Sequence, residues 1–176
     1  ELHGRSAEFA DLFVTGPTAA EKLTSLGLLT RDLSLFEHLT LDDSTSLRRV
    51  DWFESSGYLI SSPRTSVADC WQRLVDKDIR PTGNEAFQPL RLEATFPLYG
   101  VDITNENLAQ EVGRTAECIS FTKGCYLGQE IGERVRSRGQ VRRLLVGVEI
   151  ETADPPETGA DVLFEGKKAG ELTVQV

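Results

Sequence analysis

The chain has 176 residues, 39% hydrophobic and 27% charged, a balance that suits a globular fold of one domain, or one domain and part of another, and excludes collagen-like or mainly disordered sequences. Its formal charge of -9 excludes a protein that coats nucleic acid over its whole surface, because phosphates are drawn to basic surface. No apolar run reaches the roughly 18 residues of a spanning helix, and ELHGRSAEF has neither the apolar core nor the cleavage site of a signal peptide.

The elements expected in chain order mix helices and strands without regular alternation, which points to an α+β fold with an antiparallel sheet. FADLFV reads as a strand ending at Gly16-Pro17, and Pro17 opens a helix in which Ala19, Leu23 and Leu26 share a face. SLRRVDWF and GYLISS, separated by Glu54, Ser55, Ser56 and Gly57, read as a hairpin closed by Pro63. In SVADCWQRLV the residues Val67, Cys70, Trp71, Leu74 and Val75 recur at helical spacing and predict one buried stripe. A turn at Pro81, Thr82 and Gly83 leads to a second helix with Ala86, Phe87, Leu90 and Ala94 on a common face. From Phe96 to Gly113 the chain is irregular and polar, and ECISF, carrying Cys118, reads as a short strand. RLLVGVEI is expected as an apolar strand, ADPPETG as a connector, and VLFEGKKAGELTV as a hairpin around Gly166 to Lys168. The change of character near residue 140 divides the chain into a first domain, 1–140, and the opening of a small all-β module, 141–176. A first residue other than Met and a last segment, ELTVQV, that reads as a strand cut short give the expectation of a piece of a longer protein.

Three cysteines, an odd number, favour a reducing compartment over a disulfide framework, and hence the cytoplasm, or the mitochondrial matrix in a eukaryote. Cys70 is expected in the core. Cys125 stands apart in KGCYLGQE, where Gly124 and Gly128 allow tight backbone turns and Lys123 is placed to stabilise a thiolate. A cysteine hydrolase lacks its base: His3 lies at the chain start, and His38 in FEHLTL is expected on a strand facing solvent. Cys118 and Cys125 are spaced C-x6-C with no second pair to complete a tetrahedral metal site. Between Lys123 and Arg143 six basic residues face two acidic ones, a local balance of +4, which is an anion site, a docking strip or a solvated face.

KGCYLGQE, with RLEATFPLYGVDIT before it and RVRSRGQVRRLLVGVEI after it, resembles the YgfZ-type folate-binding proteins, relatives of the aminomethyltransferase (T-protein) of glycine cleavage. The resemblance covers essentially the whole chain. It implies a tetrahydrofolate-binding domain followed by a small β-barrel, and a role in iron–sulfur protein assembly or repair and in tRNA thio-modification. Lys123, Gly124, Cys125 and Tyr126 then form the signature loop, with Cys125 its functional thiol and Gln129 and Glu130 in support. Arg91 and Glu93 match an Arg-x-Glu that helps build the folate site, and Tyr58 an aromatic in its wall. A pteridine needs an aromatic slot and a carboxylate acceptor, and the glutamate tail needs cations. Arg134, Arg136 and Arg138 supply cations if their segment is extended with alternating side chains. Without the resemblance, Arg91 and Glu93 read equally as a solvated helix face, and Tyr58 as a half-buried strand aromatic.

Two positions depart from the resembling sequences: Thr95 replaces the usual Gly after RxEA, and Gly132-Glu133 replaces a small apolar pair after GQE. Three functions follow for comparison. The first is a tetrahydrofolate-binding accessory factor with iron–sulfur proteins as clients, and the second an aminomethyltransferase that passes a one-carbon unit to tetrahydrofolate. The third is a module touching RNA through Arg134, Arg136 and Arg138.

Overall fold

The computed structural model describes residues 4–53, 55–139 and 141–174, so His3 and Glu54 lie outside the described residues. The chain divides into two compact units, Glu1–Ala94 and Thr95–Val176.

The first unit is a four-stranded antiparallel sheet with three helices. Its strands are β1 (Phe9–Thr15), β2 (His38–Thr40), β3 (Ser46–Arg49) and β4 (Gly57–Pro63), in the order β1-β4-β3-β2. Register places Val14 beside Tyr58, Leu12 beside Ile60, and Ile60 beside Leu47, so these side chains share one face. Helices α1 (Ala19–Ser25) and α2 (Val67–Val75) bring Ala19, Leu23, Cys70 and Leu74 into the same cluster. Leu23, Leu47 and Ile60 are fully covered, each contributing about 1.5–3 kcal/mol of hydrophobic stabilisation. Cys70 is buried as expected, and burial pushes its thiol pKa up. His38 faces solvent from β2.

Two expectations for this unit need correction. Trp71 is 44% exposed, because consecutive helical residues are about 100° apart and the stripe through Cys70 and Leu74 already fills the contact with the sheet. In α3 (Asn84–Glu93) Leu90 is 41% exposed and Ala86 is exposed, while the buried residue is Arg91, one turn beyond half-buried Phe87. The inward stripe of α3 thus runs through Phe87 and Arg91.

In the second unit, buried carboxylates organise the polar stretch. Asp102 accepts the Leu98 N–H at 2.8 Å and the Thr173 hydroxyl at 3.3 Å. Glu111, in a 3-10 turn at Ala109–Val112, accepts the Leu108 N–H at 3.1 Å and Arg143 Nη2 at 3.3 Å, and its carbonyl accepts the Leu145 N–H at 2.7 Å. Cys118 ends a helical turn, α4 (Thr115–Cys118), rather than lying in a strand: the Cys118 and Ile119 amides donate to Arg114 and Thr115 carbonyls, so local bonds win over extension. RLLVGVEI has no ladder partner among the described residues and is not a strand there; Leu144, Val146, Val148 and Ile150 stay exposed. The last pair, β5 (Asp161–Phe164) and β6 (Lys167–Glu171), is the expected hairpin, turning at Glu165-Gly166. Both turn residues have positive φ, 52° and 75°, which matches the twist of a two-residue hairpin. No helix among the described residues is long and apolar enough to cross a membrane.

Candidate functional site

On the sheet face away from the core, the first unit carries a group of half-buried aromatic rings. Phe13 pairs with Leu59 across β1 and β4, so it points opposite to Tyr58. Its ring lies 4.8 Å from Trp52 and 5.5 Å, edge-on, from Phe53, which is 5.9 Å from Phe87 of α3. Gly57 makes this possible: a Cβ there would stand 2.4 Å from the Val50 carbonyl and 2.8 Å from the Phe13 ring.

The loop that holds Trp52 and Phe53 is fixed by Asp51. Its carboxylate accepts Arg49 Nη2 at 2.9 Å and Nε at 3.1 Å, and the Gly57 N–H at 3.1 Å, while Arg49 Nη1 donates to the Leu33 carbonyl at 2.8 Å. Burial alone would raise the Asp51 pKa, but the Arg49 bonds, the Gly57 amide and the Arg49 charge together hold it below the usual carboxylate range. An aromatic wall on a pinned loop can stack against a flat heterocycle.

The predicted site residues fall into the two units. Tyr58 is only 4% exposed and belongs to the core cluster, since β4 is a central strand whose residues 58, 60 and 62 all face inward. Arg91 is 1% exposed, with Nε donating to Gln88 Oε1 at 2.6 Å, so it is no solvated helix face, whereas Glu93 is exposed. Of the residues foreseen for a folate wall, Arg91 shares the inward stripe of α3 with Phe87. The aromatic cluster itself escaped the sequence reading, although the adjacent Trp52-Phe53 in a Gly-ended loop was its available signal.

In the second unit, KGCYLGQE forms an exposed loop running into α5 (Gln129–Arg138). Gly128 caps the helix with φ of 87°, a left-handed conformation that favours glycine. Gly124 has no such φ, so the tight backbone turn expected of both glycines belongs to Gly128 alone, and a Cβ at either position would meet open space. The Cys125 thiol is exposed. Lys123 Nζ sits 4.5 Å from the Tyr126 ring centroid, a cation–π contact. Gln129 is half-buried and Glu130 is exposed. Gly132 leaves space for its neighbours: a Cβ there would meet the Gln110 amide at 3.3 Å and the Tyr126 hydroxyl at 3.9 Å.

The arginines are not an extended alternating face. Arg134 and Arg136 lie in α5, where residues two apart diverge by about 200°. Arg134 pairs with Glu130 at 3.2 Å, and Arg136 with Glu133 at 3.5 Å while covering the Phe121 ring at 4.7 Å. Arg138 ends the helix, and its side chain lies outside what is described. The first unit also holds a cavity of about 530 Å³ lined by Leu28, Leu39, Thr45, Ser62, Cys70 and Arg73, a set that includes none of the predicted site residues. The described residues contain no cluster of metal-ligating side chains.

Residues 1–120 match the family described as the GCVT N-terminal domain. A protein of Rippkaea orientalis named aminomethyltransferase is 30% identical over 174 residues, covering 96% of this chain and 46% of its own length. Its namesake in Symbiobacterium thermophilum is 31% identical over 185 residues, covering 98% of this chain and 49% of its own. The chain therefore spans about half the length of the curated relatives it matches.

Proposed function

Because the chain belongs to the GCVT N-terminal domain family, we propose that it is the folate-binding part of a YgfZ-type accessory protein. In this reading the whole protein binds tetrahydrofolate, a carrier of one-carbon units, and serves the assembly or repair of iron–sulfur proteins and tRNA modification. The observation that carries the reading is Cys125, an exposed thiol within KGCYLGQE, the string on which the resemblance to this branch rests.

The residues fit such a ligand in kind. Trp52, Phe13, Phe53 and Phe87 offer stacking surface, exposed Glu93 a hydrogen-bond acceptor for ring nitrogens, and Arg91 is buried on the same α3 stripe as Phe87. Tyr58 backs the sheet from the core side. In the loop, Cys125 is the working thiol, with Lys123, Gly124, Tyr126, Gln129 and Glu130 shaping its setting. The domain boundary of this reading lies near residue 140, with 141–176 opening a β-barrel. The uncovered apolar alternation of Leu144, Val146, Val148 and Ile150, followed by a two-stranded ribbon, supports that assignment.

In the full-length protein, Cys125→Ala is expected to abolish complementation of a deletion strain while the unfolding midpoint stays unchanged. Full complementation by that variant contradicts the reading. The names of the relatives favour a second reading, aminomethyl transfer to tetrahydrofolate. It requires release of ammonia and methylene-tetrahydrofolate when the full-length protein meets an aminomethylated lipoyl carrier, and an absence of both products rejects it.

A further inference from the structure

The cavity of about 530 Å³ in the first unit lies between the end of α1, the β2–β3 turn and α2. Its size falls within the roughly 300–1,000 Å³ of small-molecule sites. Leu28, Leu39, Leu41 and Cys70 form its apolar part, and Ser62, 2% exposed, is its most deeply buried lining residue. Ser66 donates its one hydroxyl proton to the Pro63 carbonyl at 3.2 Å, so Ser62 is the donor in the 3.0 Å contact between the two serines. The Ser62 oxygen is left with lone pairs and no proton to offer, which makes it an acceptor for the N–H of a ligand. Asp42 accepts the Ser44 amide at 2.8 Å, the Ser44 hydroxyl at 3.0 Å and the Thr45 amide at 2.7 Å, all at Oδ1. These bonds, the Ser44 amide foremost, hold its carboxyl below the usual carboxylate range and keep it charged. Asp69 and Arg73, also in the lining, are four residues apart on α2, the usual spacing of an ion pair. Arg73 Nη2 donates instead to the Leu26 carbonyl at 3.3 Å, and no ion pair joins the two among the described residues. The Arg73 charge is felt at Cys70, where it opposes the rise that burial imposes on the thiol.

We propose that this cavity binds a free α-amino acid with an aliphatic side chain. Its lining carries two carboxylates and one guanidinium, so the complementary ligand has both an ammonium and a carboxylate. An anion alone would face Asp42 and Asp69, and a cation alone would leave the remaining N–H groups of Arg73 without a partner. The ammonium is met by the Ser62 oxygen and the aspartates, and the carboxylate by the Arg73 fork. The aliphatic chain covers Leu28, Leu39 and Leu41, which removes apolar surface from water. No aromatic ring lines the cavity, so the stacking surface that a sugar or a nucleobase uses is missing. Ser62 faces the core side of the sheet and Phe13 the opposite side, so the proposal stands independently of the folate reading.

The test is calorimetric titration of the full-length protein with L-leucine and with its two truncated analogues, isocaproate, which lacks the ammonium, and isoamylamine, which lacks the carboxylate. The expected result is saturable binding of leucine, with each analogue at least about tenfold weaker, the scale of one lost charge-assisted contact. Arg73→Gln and Asp69→Asn, both at exposed positions, should each weaken leucine by a similar factor while the unfolding midpoint without ligand stays unchanged. Arg73→Gln should also narrow the gap between leucine and isoamylamine, and Asp69→Asn the gap between leucine and isocaproate. The analogues need no substitution, so they decide the matter even where a variant fails to fold. Heat that does not saturate with leucine, equal affinity for leucine and either analogue, or wild-type affinity in either folded variant overturns the proposal. Leucine binding in a protein that binds no folate leaves this proposal standing and removes the folate reading; folate binding without leucine binding does the reverse.

Discussion

Thr95 follows Ala94, the C-cap of α3, and has φ of 49°. A helix commonly ends with one left-handed residue at this point, and that residue is usually glycine. For a β-branched residue the conformation costs about 1–2 kcal/mol. The Thr95 methyl also constrains a distant glycine, since a Cβ on Gly147 would stand 2.7 Å from it. Thr95→Gly removes the strain but adds about 0.5–1 kcal/mol of chain entropy to lose on folding, so a net gain of about 0.5–1 kcal/mol is expected. With an m-value of about 2 kcal/mol/M, the urea midpoint, followed by far-ultraviolet circular dichroism, should rise by about 0.3–0.5 M. Thr95→Ala keeps the left-handed residue and should show no such rise. Gly147→Ala should be costly in the wild type and tolerated beside Thr95→Gly, giving a coupling of about 1–2 kcal/mol. Equal midpoints for the glycine and alanine variants, or strict additivity with Gly147→Ala, would refute the reasoning.

Gly57→Ala should cost about 2–4 kcal/mol by forcing the Val50 carbonyl and the Phe13 ring apart, and should shift Trp52 emission; an unchanged midpoint and spectrum speak against the aromatic wall. Asp51 has a folded-state pKa below its unfolded value, so the unfolded chain binds the proton first as acid is added. The stability it contributes is present above about pH 4 and is lost as pH falls through the lower folded value. Asp51→Asn should therefore flatten the acid limb of a plot of urea midpoint against pH, and an unaltered limb contradicts the assignment. Leu47→Ala, at a fully covered position, should cost about 3–5 kcal/mol, whereas Trp71→Ala should cost less than about 1 kcal/mol because Trp71 is exposed; similar losses in both would mean that Trp71 packs after all.

Elements governed by local periodicity were legible in the sequence: β1, α1, α2, the β3–β4 pair and the last hairpin each follow from apolar spacing and turn residues. The failures have a common physical origin in contacts distant along the chain. Trp71 has helical spacing but α2 offers the sheet one face only. The apolar alternation of RLLVGVEI makes a strand only where a ladder partner exists. Arginines two apart suggested extension, yet Glu130 and Glu133 at i,i+4 and i,i+3 spacing provide each with a helical partner. Buried Arg91, Asp102 and Glu111 read as surface charge until folding brings partners to them, Thr173 and Arg143 among these. Of the candidate site, the KGCYLGQE loop was visible as a string, and the Phe13, Trp52, Phe53 and Phe87 cluster only through sheet register.

Folate binding is most directly tested by titrating the full-length protein with tetrahydrofolate under anaerobic conditions, in a Trp71→Phe background so that Trp52 dominates the emission from this chain. The account predicts a saturable change, kept in Cys125→Ala and lost in Glu93→Ala. Emission that does not saturate in the unaltered site would contradict it.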